Sequence, residues 1–125
     1  FYSLTNYYFM YITNETKAKV LAKKIRLCDN LWSSMRGLML RDELKKGEAL
    51  LIDLHKNKNA SIHMFLVGFP IDVIWLNSEK LVVDTAEDVK PNTITNPSKF
   101  ARYIIELPKG TLKEKPVSFR DRFSF

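Results

Sequence analysis

From Gly47 onward the chain alternates between short β-favouring runs and tight polar turns, and this rhythm leaves few folds open to it. Residues 49–54 form one apolar run, and His55 to Asn59 read as a turn. Residues 61–66 form the next run, Gly68 and Pro70 bracket a tight connection, and 71–76 follow. Asn77 to Lys80 turn the chain into Leu81 to Asp84. A polar loop spans Lys90 to Ser98, and Arg102 to Leu107 make a last strand closed by Pro108 and Gly110. Each run is too short for a helix, and each is bounded by residues that favour turns. Upstream, Val20 to Cys28 suit a strand, with Ile25 and Leu27 alternating against Lys24, Arg26 and Cys28. Asp29 or Asn30 offers an N-cap, Leu31, Met35 and Leu38 fall at helical spacing, and Gly37 is placed to stop the helix. A second helical turn is predicted over Asp42 to Lys46, ended by Gly47. The pattern predicts a mainly β fold, a small antiparallel sandwich or barrel with one or two short helices.

The 125 residues suffice for one domain with its own core, and a 46% hydrophobic, 27% charged composition excludes a disordered tail. Cys28 stands alone, so neither an internal disulfide nor a cysteine zinc cage can form. The net charge of +6 is unevenly spread: residues 17–60 and 99–125 are basic, whereas 61–98 are acidic. Basic surface attracts nucleic acid or anionic membrane, but only Lys23-Lys24 and Lys45-Lys46 are adjacent basic pairs, and no nucleic-acid motif is visible. The charge is read first as a solvated surface.

Residues 1–16 hold six of the fifteen aromatics and one charge, Glu15. This segment lacks the pattern of a signal peptide and is too short and polar to span a bilayer. It is read as an extra strand, with the interfacial remnant of a longer N-terminus as the alternative. The absence of an initiator methionine before Phe1 suggests a start after processing or at an artificial boundary. Residues 17–125 are read as one β domain.

Five blocks carry a resemblance to the domain of unknown function 192 family. They are Arg36-Gly37-Leu38-Met39-Leu40-Arg41, Gly47-Glu48-Ala49-Leu50-Leu51, Ser61-Ile62-His63-Met64, residues 69–76 and residues 101–111, within a resemblance that covers a core of residues 25–111. The Ile-His-Met strand resembles the archaeal branch, and the paired cysteines of some bacterial members are missing. The resemblance implies a compact, mainly β, jelly-roll-like domain with no established activity. It leaves location open: cytoplasmic is the expectation, with an exported or membrane-anchored full-length form as the alternative.

Four polar residues form the candidate site: His63, Asp72, Arg36 and Glu106. His63 interrupts an apolar strand and shares a face with Phe65. It reads either as a buried neutral histidine or as a general base oriented by Asp72. Asp72 sits among Ile71, Val73 and Trp75, so it must be paired, hydrogen-bonded or protonated. A salt bridge to Arg36 or bonds to backbone N–H groups of the helix turn is the structural expectation, and a pocket carboxylate the functional one. Arg36 suits a carboxylate or an anionic ligand. Glu106 shares a strand face with Arg102, which predicts a solvated pair, and Asp53 reads as a turn residue. Cys28 lacks a positioned base, so a nucleophilic role is not expected.

His55 and His63 are the only histidines and show no metal-ligand spacing, so no metal or cofactor is expected. The leading expectation is an uncharacterised, non-enzymatic module that binds a ligand or partner. One alternative is a hydrolase or lyase using His63 and Asp72. The other is salt-sensitive association with nucleic acid or anionic membrane. Neither ligand nor oligomeric state follows from the residues.

Overall fold

The computed structural model describes residues 7–30, 38 and 43–125. Among the described residues nine strands are formed: β1 (Tyr7–Asn14), β2 (Lys19–Cys28), β3 (Glu48–Lys58), β4 (Ile62–His63), β5 (Ile71–Leu76), β6 (Val82–Val89), β7 (Ile94–Thr95), β8 (Ala101–Pro108) and β9 (Phe123–Ser124). One short helix, α1 (Thr111–Glu114), follows β8. Seven strands join in the order β6-β5-β8-β3-β2-β1-β9, while β4 and β7 pair separately. The large sheet curls into a half-barrel, giving a mainly β, barrel- or sandwich-like fold.

β2 and β3 are parallel, Lys24 opposite Glu48 and Cys28 opposite Ile52, against the expected all-antiparallel sheet. A parallel pair needs a crossover, and the chain between Cys28 and Glu48 is long enough to make one. The helix predicted around Leu31 to Leu38 lies outside the described residues except for Leu38, which is buried. No helix forms over residues 43–46. There the Glu48 amide donates to the Lys45 carbonyl at 2.9 Å, and the Lys45 amide donates to the Glu48 carboxylate at 2.8 Å. Gly47 makes this turn possible at φ +88°, a region where any Cβ is strained.

All six residues of β5 are buried because both faces of the sheet are covered. Ile71, Val73 and Trp75 point into a first cluster with Leu50, Ile52 and Ile104. Ala60, Ile62, Met64, Val67 and Phe69 cover that face. The Trp75 indole N–H donates to the Ala60 carbonyl at 2.8 Å and fastens the cover to the sheet. Ile74 and Leu76 point into a second cluster with Leu51, Ile105 and Leu107, which also receives Ile12, Ile25, Leu112 and Phe123.

β1 lies antiparallel to β2, with Phe9 opposite Lys24. Beyond β1, Thr13 and Asn14 meet Ser124 and Phe123 of β9. Asp121 secures this junction by accepting from the Asn14 side chain, the Ser118 amide and Lys17, each at 2.9 Å.

Candidate functional site

Asp72 is fully buried and points to the same side as Ile74 and Leu76. Its Oδ1 accepts the Asp88 amide and its Oδ2 the Leu112 amide, each at 2.9 Å. Local structure explains both donors. β6 is irregular opposite Ile71 and Val73, and Asp88 takes a positive φ of 52° there. α1 has Gly110 as its N-cap and so no capping side chain of its own. Asp72 supplies that acceptor from another strand, across 40 positions of sequence. It does meet backbone amides, but those of β6 and α1. The proposed partner Arg36 lies outside the described residues.

His63 is exposed, which corrects the expectation of a buried histidine. Ile62 and Met64 on either side turn inward, so His63 and Phe65 turn outward. The segment carrying His63 covers the first face of the sheet, whereas Asp72 points into the second. No hydrogen bond or ion pair joins them among the described residues.

Glu106 is 1% exposed and stands opposite Leu50 and Val73, facing the first cluster. It is not the solvated partner expected for Arg102, and it does not lack partners. Arg102 instead grips Asp53 with two bonds, Nε to Oδ1 at 2.9 Å and Nη2 to Oδ2 at 3.2 Å. Asp53 is therefore a strand residue within β3 rather than a turn residue. Its hydrogen bonds from Arg102 hold its carboxyl below the usual carboxylate range, against the opposing effect of burial. Cys28 is buried at 5% exposure.

A concave feature lies elsewhere among the described residues. A cleft of about 450 Å³ opens between the start of β2, the turn before β3 and the β8–α1 connection. Lys23, Lys46, Lys109 and Lys115 line it, with Glu114 the single acidic residue, and Gly47 and Gly110 contribute bare backbone. Asp72 does not line the cleft, but it holds the α1 wall in place through Leu112. The lysines come from three separate segments, so each looked like ordinary solvated surface in the sequence.

Among the described residues, no group of three or more histidine, cysteine or acidic side chains is arranged to hold a metal. No described helix is long and apolar enough to cross a membrane.

A sequence model of DUF192, described as uncharacterized ACR, matches residues 12–125. A UPF0127 protein of Thermococcus kodakarensis is 39% identical over 114 residues, covering 91% of this chain and 72% of its own length. A UPF0127 protein of Pyrococcus abyssi is 39% identical over 113 residues, covering 89% and 93%. Two solved structures share the fold, each with a TM-score of 0.79. One, from Sinorhizobium meliloti and described as a "putative transcription regulator", is 21% identical and covers 91% of this chain and 89% of its own. The other, a Novosphingobium aromaticivorans protein of unknown function, is 19% identical and covers 92% and 82%.

Proposed function

The chain belongs to the DUF192 family, and we propose that this member is a non-enzymatic binding module that holds a ligand in the cleft between β2 and α1. The observation that carries this reading is the separation of chemistry from concavity. Both Asp72 carboxylate oxygens are engaged by backbone amides, and His63 faces solvent on the other side of the sheet. A base and its orienting carboxylate must lie within hydrogen-bond reach or one water apart. The cleft meanwhile has the volume of a small-molecule site. Screening against general hydrolase and redox substrates is expected to give no turnover, while ligands of the cleft raise the melting temperature. Reproducible turnover that is lost in His63→Ala, with the fold intact, would overturn the proposal in favour of the hydrolase or lyase reading.

A second reading is association with single-stranded nucleic acid through the β1–β2 face. Lys24 lies 4.9 Å from the Tyr7 ring centre and Lys23 lies 5.9 Å from that of Tyr11. Phe9 is 88% exposed between them. Cations interleaved with exposed rings are what unpaired bases stack against. This reading expects salt-sensitive binding of a single-stranded oligonucleotide that weakens in Phe9→Ala, and no binding at low salt removes it. Preference for anionic vesicles over the oligonucleotide would also count against it.

A further inference from the structure

The cleft has a chemical bias that narrows its ligand, and the argument rests on the binding-module reading above. Four lysines line it against one glutamate. Two of the four, Lys23 and Lys115, have no carboxylate partner among the described residues. Lys115 Nζ donates to the Val20 carbonyl at 2.6 Å, a neutral acceptor that anchors the side chain without cancelling its charge. Lys23 forms no ion pair among the described residues. Lys109 lies 3.7 Å from Asp88, which is outside the lining. Lys46 and Glu114 form the one ion pair within the lining, at 3.4 Å. Both members are well exposed, so water screens the pair and it opens readily.

Collecting like charges from three segments opposes compaction unless something of opposite sign joins them. Backbone is accessible too. Gly47 and Gly110 have φ of +88° and +92°, and no heavy atom beyond the adjoining residues lies within 4 Å of where a Cβ would stand on either. The lining contains no arginine. The guanidinium fork serves planar two-point recognition of carboxylate and phosphate alike, whereas lysines act as point charges, and point charges gain most from a group that concentrates close to two negative charges, as a phosphate does.

We infer that the cleft binds a small phosphate-bearing molecule, with Lys23, Lys46 and Lys115 contacting the phosphate and Glu114 giving up Lys46 as it enters. Glu114 then acts as a built-in competitor. Its neutralisation strengthens binding, an effect that a purely structural role for Glu114 does not produce.

The test is calorimetric titration of the full chain with inorganic pyrophosphate at low and near-physiological salt, with citrate as the carboxylate control. One site is expected, weaker for citrate and weaker at high salt. Lys23→Gln and Lys115→Gln are each expected to lower affinity about fivefold or more, and Glu114→Gln to raise it about threefold. The Lys23 amide donates to the Gly47 carbonyl at 2.8 Å, a backbone bond that the substitution leaves in place, and among the described residues the side chain touches only the exposed Tyr11 ring, so its variant keeps the test decisive if Lys115→Gln is unstable. Absence of pyrophosphate binding, equal binding of citrate, or affinity indifferent to all three substitutions overturns the inference. Phosphorus NMR of the mixture separates the two proposals. Hydrolysis of the bound probe overturns the non-enzymatic reading and leaves the phosphate site standing. Failure to bind overturns the site and leaves the non-enzymatic reading standing.

Discussion

The Leu112 amide donates to Asp72 Oδ2 across 2.9 Å, tying the first turn of α1 to the start of β5. The same carboxylate holds the Asp88 amide through its other oxygen. Asp72→Ala leaves the buried Leu112 amide and the part-buried Asp88 amide without their acceptor. At about 1–3 kcal/mol for each unsatisfied group, the loss is expected to reach about 2–5 kcal/mol. Urea unfolding measures it directly, and a change below about 0.5 kcal/mol, the size of a neutral surface substitution, would show that Asp72 does not secure α1.

Trp75 offers a second test, on the first face of the sheet. Trp75→Phe removes the bond to the Ala60 carbonyl and part of a fully buried side chain. A cost of about 2–4 kcal/mol is expected from the lost partner and the space left behind. Hydrogen exchange should accelerate most around residues 60–69, which the indole fastens to β5. Uniform acceleration across the sheet would contradict that role.

Asp53 and Asp121 both titrate below the reference value of 3.8 in the folded state. The Arg102 hydrogen bonds are the main cause for Asp53. For Asp121, burial is the largest single influence and acts upward, but the Ser118 amide, the Asn14 side chain and Lys17 together outweigh it. With folded pKa values below the unfolded ones, the unfolded chain binds more protons. Their contribution is therefore complete above the unfolded value and drains away as pH falls through the folded ones. Urea midpoints should drop between about pH 5 and about pH 2, with a shallower drop in Asp53→Asn and Asp121→Asn. An unchanged slope in both variants would assign the acid sensitivity to other groups.

Cys28, buried in the first cluster, should react with a thiol reagent only when the surrounding structure opens. Modification is expected to be slow in buffer and to accelerate with urea, whereas fast labelling of the native protein would point to an activated, accessible thiolate.

Much of the strand pattern could be read from alternation and turn residues, and the reasons for the misreadings are local. In Ile62-His63-Met64-Phe65 both alternating sets contain an apolar member. Period-two spacing therefore says that His63 goes with Phe65, but not that this pair faces water. Asp72 was recognisable as needing partners because a charge inside an unbroken apolar run has no other way to exist. Which amides satisfy it depends on an irregularity in β6 and on a helix that no strong capping residue announces. Arg102 chose Asp53 over Glu106 because β3 lies beside β8, with Asp53 opposite Tyr103. Strand order of that kind is a property of the crossover rather than of either strand. The lysine cleft was hidden for the same reason, since its members meet only after three distant segments converge.

The junction of β9 with β1 also sets a schedule. Asn14 is buried against Asp121, a partner 107 positions later. At about 5–20 residues per second of synthesis, β1 is complete on the order of 5–20 s before that partner exists. For this interval Ile12 and Asn14, both closed to water in the finished fold, remain unsealed on the nascent chain. The stability of the completed sheet gives no protection then, and the burden falls on whatever the early strands can bury among themselves.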